Sequence, residues 1–328
     1  LKVLLLSRAE VEGLISMREA IEAVEGAFRA KGIGKAQMPP KSYVYFDRYD
    51  GDFRVMPAYL EDQGAAGVKI VNAHPLNPKK HGLPTVMAII VLLDPKTGAP
   101  LAIMDGTWIT NIRTGAGGAV AAKYLARRDS RIVAMVGAGV QARTQLIALK
   151  EVLDIEEVRV NDISAEKAQQ YAEEMGEQLG VNAKAVGDTG KAVEGADVVV
   201  TTTPARKPIL MNDWVSKGMH INAIGADAPG KQELDPQILT RAKIVVDDVE
   251  QAIHGGEINV PLSEGAIARG DIYADLGEVV TGKKPGRASR EEITIFDSTG
   301  LAVQDIATDW VVYQKARETG KGIEVELL

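Results

Sequence analysis

The sequence predicts an α/β protein: a doubly wound, mostly parallel sheet inserted into a discontinuous α+β domain. Three observations predict it. Residues 131–300 alternate short β-branched runs with helical segments, the pattern of a parallel sheet covered on both faces. The run Arg131 to Ala142 carries an apolar strand into a Gly137-x-Gly139-x-x-Ala142 turn and then into a helix. Residues 41–104 are instead β-like without helical periodicity, and a single helix returns after residue 300. The expected division is 1–125, completed by 301–328, around an inserted domain of 126–300.

The elements follow in order. Ser7-x-x-Glu10 and Ser16-x-x-Glu19 are capping boxes, so two consecutive helices are expected over 8–30, with Ile21, Val24 and Phe28 on one face. Gly32 and Gly34 end the second, and Met38-Pro39-Pro40 makes an extended turn. Strands are expected at Tyr43–Phe46, Phe53–Met56, Gly67–Val71, Val86–Leu93 and Leu101–Met104. Thr110 to Ala126 reads as a helix so rich in Gly and Ala that some neighbour must approach its backbone closely. Further strands are expected near 131–136, 157–160, 183–186, 197–201, 220–224, 244–246 and 293–296, with Ser164 capping a helix that runs towards Gly180. Ala302 to Gly320 is expected to be an amphipathic helix, with Val303, Ile306 and Trp310 facing inward.

Composition narrows the function. A chain of 328 residues has material for about two domains, and 45% hydrophobic with 25% charged residues is ordinary for a globular protein. A net charge of −7 with no long basic run argues against nucleic acid as a partner. The absence of cysteine excludes disulfides, thiolate catalysis and cysteine-ligated zinc, and makes a reducing cytoplasm the expected compartment. Leu1 to Leu6 is far too short for a signal peptide or membrane span, so no membrane partner is expected. His74, His81, His220 and His254 are scattered and Asp247 to Glu257 has no EF-hand order, so no metal site is expected.

The glycine turn is the most informative stretch. Gly137 and Gly139 stand where backbone must pass close to a pyrophosphate, at a helix start whose free N–H groups favour an anion. Asp162, at the end of the next strand, is placed to accept hydrogen bonds from a ribose and would repel a 2′-phosphate, which points to NAD over NADP. The plainer alternative is a close-packed strand–helix turn with a solvated acid.

Several residues invite chemistry. Lys69 lies inside Val68-Lys69-Ile70-Val71, where an ammonium is costly unless it is paired, functional or snorkelling from an edge strand. Arg113, beside Thr114-Gly115-Ala116-Gly117-Gly118, suits a carboxylate or pyrophosphate, or a surface ion pair. Arg54 in Phe53-Arg54-Val55-Met56-Pro57 has the same ambiguity. Asp227 ends a strand in Ile224-Gly225-Ala226-Asp227, either as an acid–base group or as a turn cap. Ser298 follows the last strand, as a nicotinamide contact or another turn cap.

In this order the segments resemble the ornithine cyclodeaminase/μ-crystallin family over essentially the whole chain. The resemblance rests on Val55-Met56-Pro57-Ala58, Leu83-Pro84-Thr85-Val86-Met87, Ala102-Ile103-Met104-Asp105, Arg113-Thr114-Gly115-Ala116, Gly137-Ala138-Gly139-Val140-Gln141-Ala142, Asn222 to Asp227, Pro229-Gly230-Lys231, Gly255-Gly256-Glu257-Ile258 and Phe296-Asp297-Ser298-Thr299-Gly300. The archaeal alanine dehydrogenase branch is the most similar. The resemblance implies a Rossmann NAD domain inserted into a substrate-binding and dimerisation domain, hence a homodimer. It gives Lys69 and Arg113 a place near substrate carboxylate and cofactor, Asp227 the role of catalytic acid, and Thr85, Gln141, Lys231 and Ser298 cofactor-side positions. Val140, Ile163, Thr202, Ile224 and Gly225 complete the expected cofactor contacts. The expected activity is NAD-dependent alanine dehydrogenation, with Arg54 helping to bind the carboxylate and Lys69 sharing the acid–base work. Ornithine cyclodeamination and a μ-crystallin-like ketimine reductase or binding protein are the alternatives. One departure disfavours ornithine: Arg54 stands where the cyclodeaminase branch holds the distal ammonium with an acidic residue.

Overall fold

The computed structural model describes residues 1–327. The chain divides into two compact units, one of Leu1–Arg113 with Leu301–Leu328 and one of Thr114–Gly300. The division falls inside a long helix, Gly106–Leu125.

The first unit carries strands β1 (Lys2–Leu6), β2 (Ala36–Gln37), β3 (Ser42–Phe46), β4 (Gly51–Leu60), β5 (Ala65–Ala73), β6 (Val86–Leu93) and β7 (Pro100–Asp105). The second carries β8 (Ile132–Val136), β9 (Glu157–Asn161), β10 (Asn182–Ala185), β11 (Val198–Thr201), β12 (Arg206–Leu210), β13 (His220–Ala223), β14 (Gln232–Leu234), β15 (Lys243–Val246), β16 (Ile272–Asp275) and β17 (Thr294–Asp297). The chain then returns to the first unit with β18 (Ile323–Glu326).

In the first unit the sheet order is β18-β1-β7-β6-β5-β4-β2, with β3 also paired to β4. Its pairs are antiparallel except β1 with β7. Three strands were not anticipated: β1, the two-residue β2 and β18. β1 buries Val3, Leu4 and Leu6, and β18 pairs with it from the other end of the chain. Pro57 sits within the long strand β4, where a missing N–H would normally break a ladder. On one side it faces Val68 of β5; on the other, β3 pairs only with 51–55 and β2 only with 59–60. The proline therefore falls in the gap between two short partners.

The helices Met17–Gly32 and Ala302–Thr319 pack on each other, and the second lies across β4, β5 and β6. Gly67 permits that approach: a Cβ there would lie 2.5 Å from the Val91 carbonyl oxygen and 2.9 Å from Ile306 Cδ1. The capping boxes of Ser7 and Ser16 are both formed. The last helix departs from its expected amphipathic pattern. Every residue from Ala302 to Asp309 is buried, including Gln304, Asp305, Thr308 and Asp309, while Trp310 is only partly covered.

In the second unit eight parallel strands run in the order β10-β9-β8-β11-β13-β17-β15-β16. The chain leaves β8 towards β9 and β10, then crosses back to β11, so the order reverses between β8 and β11. A crevice at the carboxyl ends of these strands is where such sheets take ligands. The edge strand β16 and the separate parallel pair β12–β14 were not anticipated. Ser164 caps the Ala165–Leu179 helix through Lys167 N, and Gly180 ends it at φ +64°. The close approach expected of the Gly- and Ala-rich helix is explained inside this unit. A Cβ at Gly115 would collide with the Thr144 carbonyl, and one at Gly118 with Gln145 Oε1 and Asn222 Nδ2. Among the described residues no helix is long and apolar enough to cross a membrane.

Candidate active site

The glycine turn lies at the switch point of the parallel sheet. Gly137 follows β8 with φ +103°, and a Cβ there would come within 2.7 Å of Thr202 Oγ1, just after β11. Gly139 is different: a Cβ there would meet nothing within 4 Å. It is the N-cap of the Val140–Val152 helix, and no side chain caps that end. Open space in front of uncapped helical N–H groups fits a phosphate-bearing group. Asp162 buttresses the turn, taking Ala138 N at 2.9 Å on one oxygen and Ser164 N at 2.9 Å on the other. Val140 and Ile163 expose apolar side chains nearby in sequence, and Gln141 Oε1 accepts from Thr144 Oγ1 at 3.3 Å.

The loops that follow β11 and β13 share one anchor. The buried carboxylate of Glu233 accepts from Thr201 Oγ1 at 2.7 Å, Thr203 N at 2.6 Å, Thr203 Oγ1 at 2.7 Å and Gly225 N at 2.9 Å. Burial pushes its pKa up against those bonds. Glu257 accepts Glu233 N at 3.0 Å and is itself held through its N–H by Asp297 Oδ1 at 2.9 Å. Burial raises the Asp297 pKa to about 8, opposed by the two backbone N–H groups it accepts. Ile224 and Ser298 are buried in the same region, with Ser298 N bonded to the Ala223 carbonyl at 3.0 Å. Asp227 stays partly exposed and pairs with Lys231, whose ammonium also reaches the Gly225 carbonyl at 3.3 Å.

The first unit holds a buried cluster of cations. Lys69, in the middle of β5, is wholly buried and gives its ammonium to Asp305 Oδ1 at 2.7 Å and Thr110 Oγ1 at 3.3 Å. Arg113 Nε reaches the same Asp305 oxygen at 2.8 Å, and its Nη1 meets Gln304 Oε1 at 3.4 Å. Lys69 is therefore neither a snorkelling nor an edge residue. Its pKa falls to about 7, through burial first and the Arg113 charge second, with Asp305 opposing both. Arg54 lies on the same buried face of the sheet, since Lys69 pairs with Met56 and Arg54 is two residues away along β4. Its guanidinium forks onto Asp52, Nε to Oδ1 at 3.1 Å and Nη2 to Oδ2 at 3.2 Å, and stacks over Tyr43. Thr85 is exposed before β6, its carbonyl accepting His74 N at 2.8 Å.

A profile of the ornithine cyclodeaminase/mu-crystallin family matches residues 2–320. The chain belongs to that family. Within it, the chain is 54% identical to alanine dehydrogenase from Archaeoglobus fulgidus over 329 aligned positions, covering 99% of each chain. The solved structure of an archaeal alanine dehydrogenase dimer with bound NAD superposes with a TM-score of 0.96 at 53% identity, covering all of both chains. Δ1-pyrroline-2-carboxylate reductase from Thermococcus litoralis, solved with NADH and L-proline, also gives 0.96, at 47% identity, covering 98% of this chain and all of that one.

Sequence reasoning missed three groups. Asp305 gives no sign in its helix, because the expected core face used Val303, Ile306 and Trp310. Glu233 gives none in a three-residue strand. Arg143 clamps the glycine turn, donating to the Ala138 carbonyl at 2.7 Å and the Gly139 carbonyl at 3.2 Å while bound to Glu174. Its place one helical turn after Gly139 was the available signal.

Proposed function

We propose that this family member is an NAD-dependent oxidoreductase of small α-amino acids, with L-alanine, pyruvate and ammonia as its reactants. The observation that carries the reading is the buried Lys69–Arg113–Asp305 cluster. Two cations share one carboxylate oxygen there, leaving positive charge to receive a substrate carboxylate. The 54% identity to an alanine dehydrogenase supports the same choice.

NAD, when bound, supplies the hydride acceptor and donor. Gly137, Gly139, Val140 and Gln141 would hold its pyrophosphate at the helix start, and Asp162 with Ile163 its adenine-side ribose. Thr202, Ile224, Gly225, Lys231, Ser298 and Thr85 complete the proposed contacts, with Arg113 serving both cofactor and substrate. Lys69 and Arg113, helped by Arg54, bind and orient the α-carboxylate. The amine must be neutral before its α-hydrogen departs as hydride, leaving an iminium ion. Asp227 then takes a proton from the attacking water and returns one to the departing nitrogen, so that ammonia and the oxo acid are released. Lys69 shares the proton traffic.

A second reading has a specific observation behind it. The likeness to the Thermococcus litoralis reductase favours a cyclic imine such as Δ1-pyrroline-2-carboxylate. The same carboxylate clamp would serve, with no water attack. The two readings separate in one experiment: NADH oxidation with pyruvate plus ammonium, with Δ1-pyrroline-2-carboxylate, and ornithine-to-proline conversion, measured side by side. Pyruvate amination as the most efficient reaction supports the dehydrogenase; a strong preference for the cyclic imine replaces it with the reductase.

The proposed assembly is a homodimer formed through the first unit's sheet. Ile70 and Ile89 pair across β5 and β6 and are exposed, beside Val55 in the next strand. A neighbouring apolar row of this kind calls for a cover.

A further inference from the structure

The last helix places two acids one turn apart, Asp305 and Asp309, and both are wholly buried. Only Asp305 has an obvious task, since one of its oxygens takes both Lys69 and Arg113. Its other oxygen and both oxygens of Asp309 have no hydrogen-bond partner among the described residues. A buried, unbonded carboxylate is expensive, and a second like charge four residues away on a helix adds to the cost. Burial pushes the Asp309 pKa well above the carboxylate range; the Asp305 charge pushes the same way, and Lys69 opposes.

The charge count makes Asp309 consequential. With Asp309 neutral, Lys69, Arg113 and Asp305 leave one buried positive charge; with Asp309 ionised the four groups balance. The other charged groups acting here are Asp105, which disfavours ionisation of Asp309, and Lys41, which disfavours the Lys69 ammonium. Lys69 and Asp309 are therefore linked by charge, each favouring the ionised form of the other.

We propose that Asp309 is a positioning residue that acts through Lys69: the two are linked by charge inside the buried cluster, and the ionisation of Asp309 thereby sets how much ammonium Lys69 presents to a substrate carboxylate. The inference rests on the reading of Lys69 as a substrate-side group. As pH rises, the pair loses the first of its two protons; in part of the population that leaves Asp309 negative, which holds the other proton on Lys69. Asparagine imitates the neutral acid but never ionises. In Asp309→Asn, Lys69 must lose its charge in a single step and at lower pH.

The test follows the Lys69 side chain of the full chain by NMR of lysine labelled with 13C at Cε, assigned through Lys69→Arg. The wild type should titrate broadly. Asp309→Asn should give one sharper step, displaced downward by at least about half a pH unit. Asp309→Leu carries the same prediction should asparagine fold poorly, and Asp309→Glu should restore the wild-type curve. The alkaline limb of kcat/KM for pyruvate amination should move with the NMR midpoint. An Asp309→Asn or Asp309→Leu curve that overlays the wild type, or lowered thermal stability as the only effect, overturns the proposal. An NMR midpoint that moves while the kcat/KM limb stays fixed upholds the charge linkage and removes Lys69 from the substrate side.

Discussion

Lys231 Nζ lies 2.5 Å from Asp227 Oδ1, and the pair closes the loop that follows β13. The ammonium fixes a carboxylate that is otherwise partly open to solvent. An aimed but accessible carboxylate is what proton exchange with water or an amine requires. Asp227→Asn keeps the size and removes the proton acceptor. Turnover should fall at least about a hundredfold, within the usual range for positioned acid–base groups, while NADH affinity changes little. Steady-state kinetics with a direct NADH titration checks both halves, and near-normal turnover would reduce Asp227 to a loop cap.

Cofactor choice should follow Asp162. Wild-type catalytic efficiency should be higher with NADH than with NADPH, because a carboxylate repels a 2′-phosphate. The same carboxylate bonds Ala138 N and Ser164 N. Asp162→Ala therefore should lose efficiency with NADH more than it gains with NADPH. A wild-type preference for NADPH would reverse the assignment.

Arg54 is already forked onto Asp52, so a substrate carboxylate has to compete for it. Arg54→Ala should raise the KM for pyruvate by about tenfold or more, the usual scale for losing a charged contact. Asp52→Asn should leave that KM unchanged or lower it. Equal losses in both variants would show that the pair serves only the sheet.

The dimer should be measurable directly. Light scattering should give about twice the 35.1 kDa chain mass, or a larger even multiple. Replacing Ile70 and Ile89 together by glutamate should shift the distribution towards monomer, since paired charges on that row oppose its burial. A wild-type monomer with full activity removes the claim.

Acid stability should be limited in part by His220. It is wholly buried, with Nδ1 3.0 Å from Thr294 Oγ1 and Nε2 2.9 Å from Asn222 Oδ1. Burial first, and the Arg287 charge second, lower its pKa from 6.5 to about 3. The unfolded chain therefore binds the extra proton throughout that window, and stability falls as pH drops from 6.5 towards 3, by a few kcal/mol in all. His220→Gln should be less stable at pH 7 yet show a flatter decline, read from urea midpoints at successive pH values. Parallel curves for the two proteins would assign the acid loss to other groups.

What the sequence made legible was local. The turn at Gly137, the cap at Ser164 and the strand-end Asp162 each announce themselves within a few residues. Lys69 stood out as an anomaly, a cation in an apolar strand. Its partner did not: Asp305 is 236 positions away, in a helix whose visible pattern assigned the core to other residues. β1 and β18 escaped notice for the same reason, each being short and paired only with strands far away in sequence. Glu233 looks like any acid in a polar segment until four backbone and hydroxyl groups, from the end of β11 and the loops after β11 and β13, converge on it.

That convergence bears on how tightly a ligand can be held. Glu233, Glu257 and Asp297 tie the segments after β11 and β13 to the end of β17, through bonds made when the protein folds. Loops that must be ordered on contact subtract their lost freedom from the affinity; loops ordered beforehand do not. Binding here should accordingly show a small entropic penalty, and loosening Glu233 should weaken affinity without removing a single contact to the bound molecule.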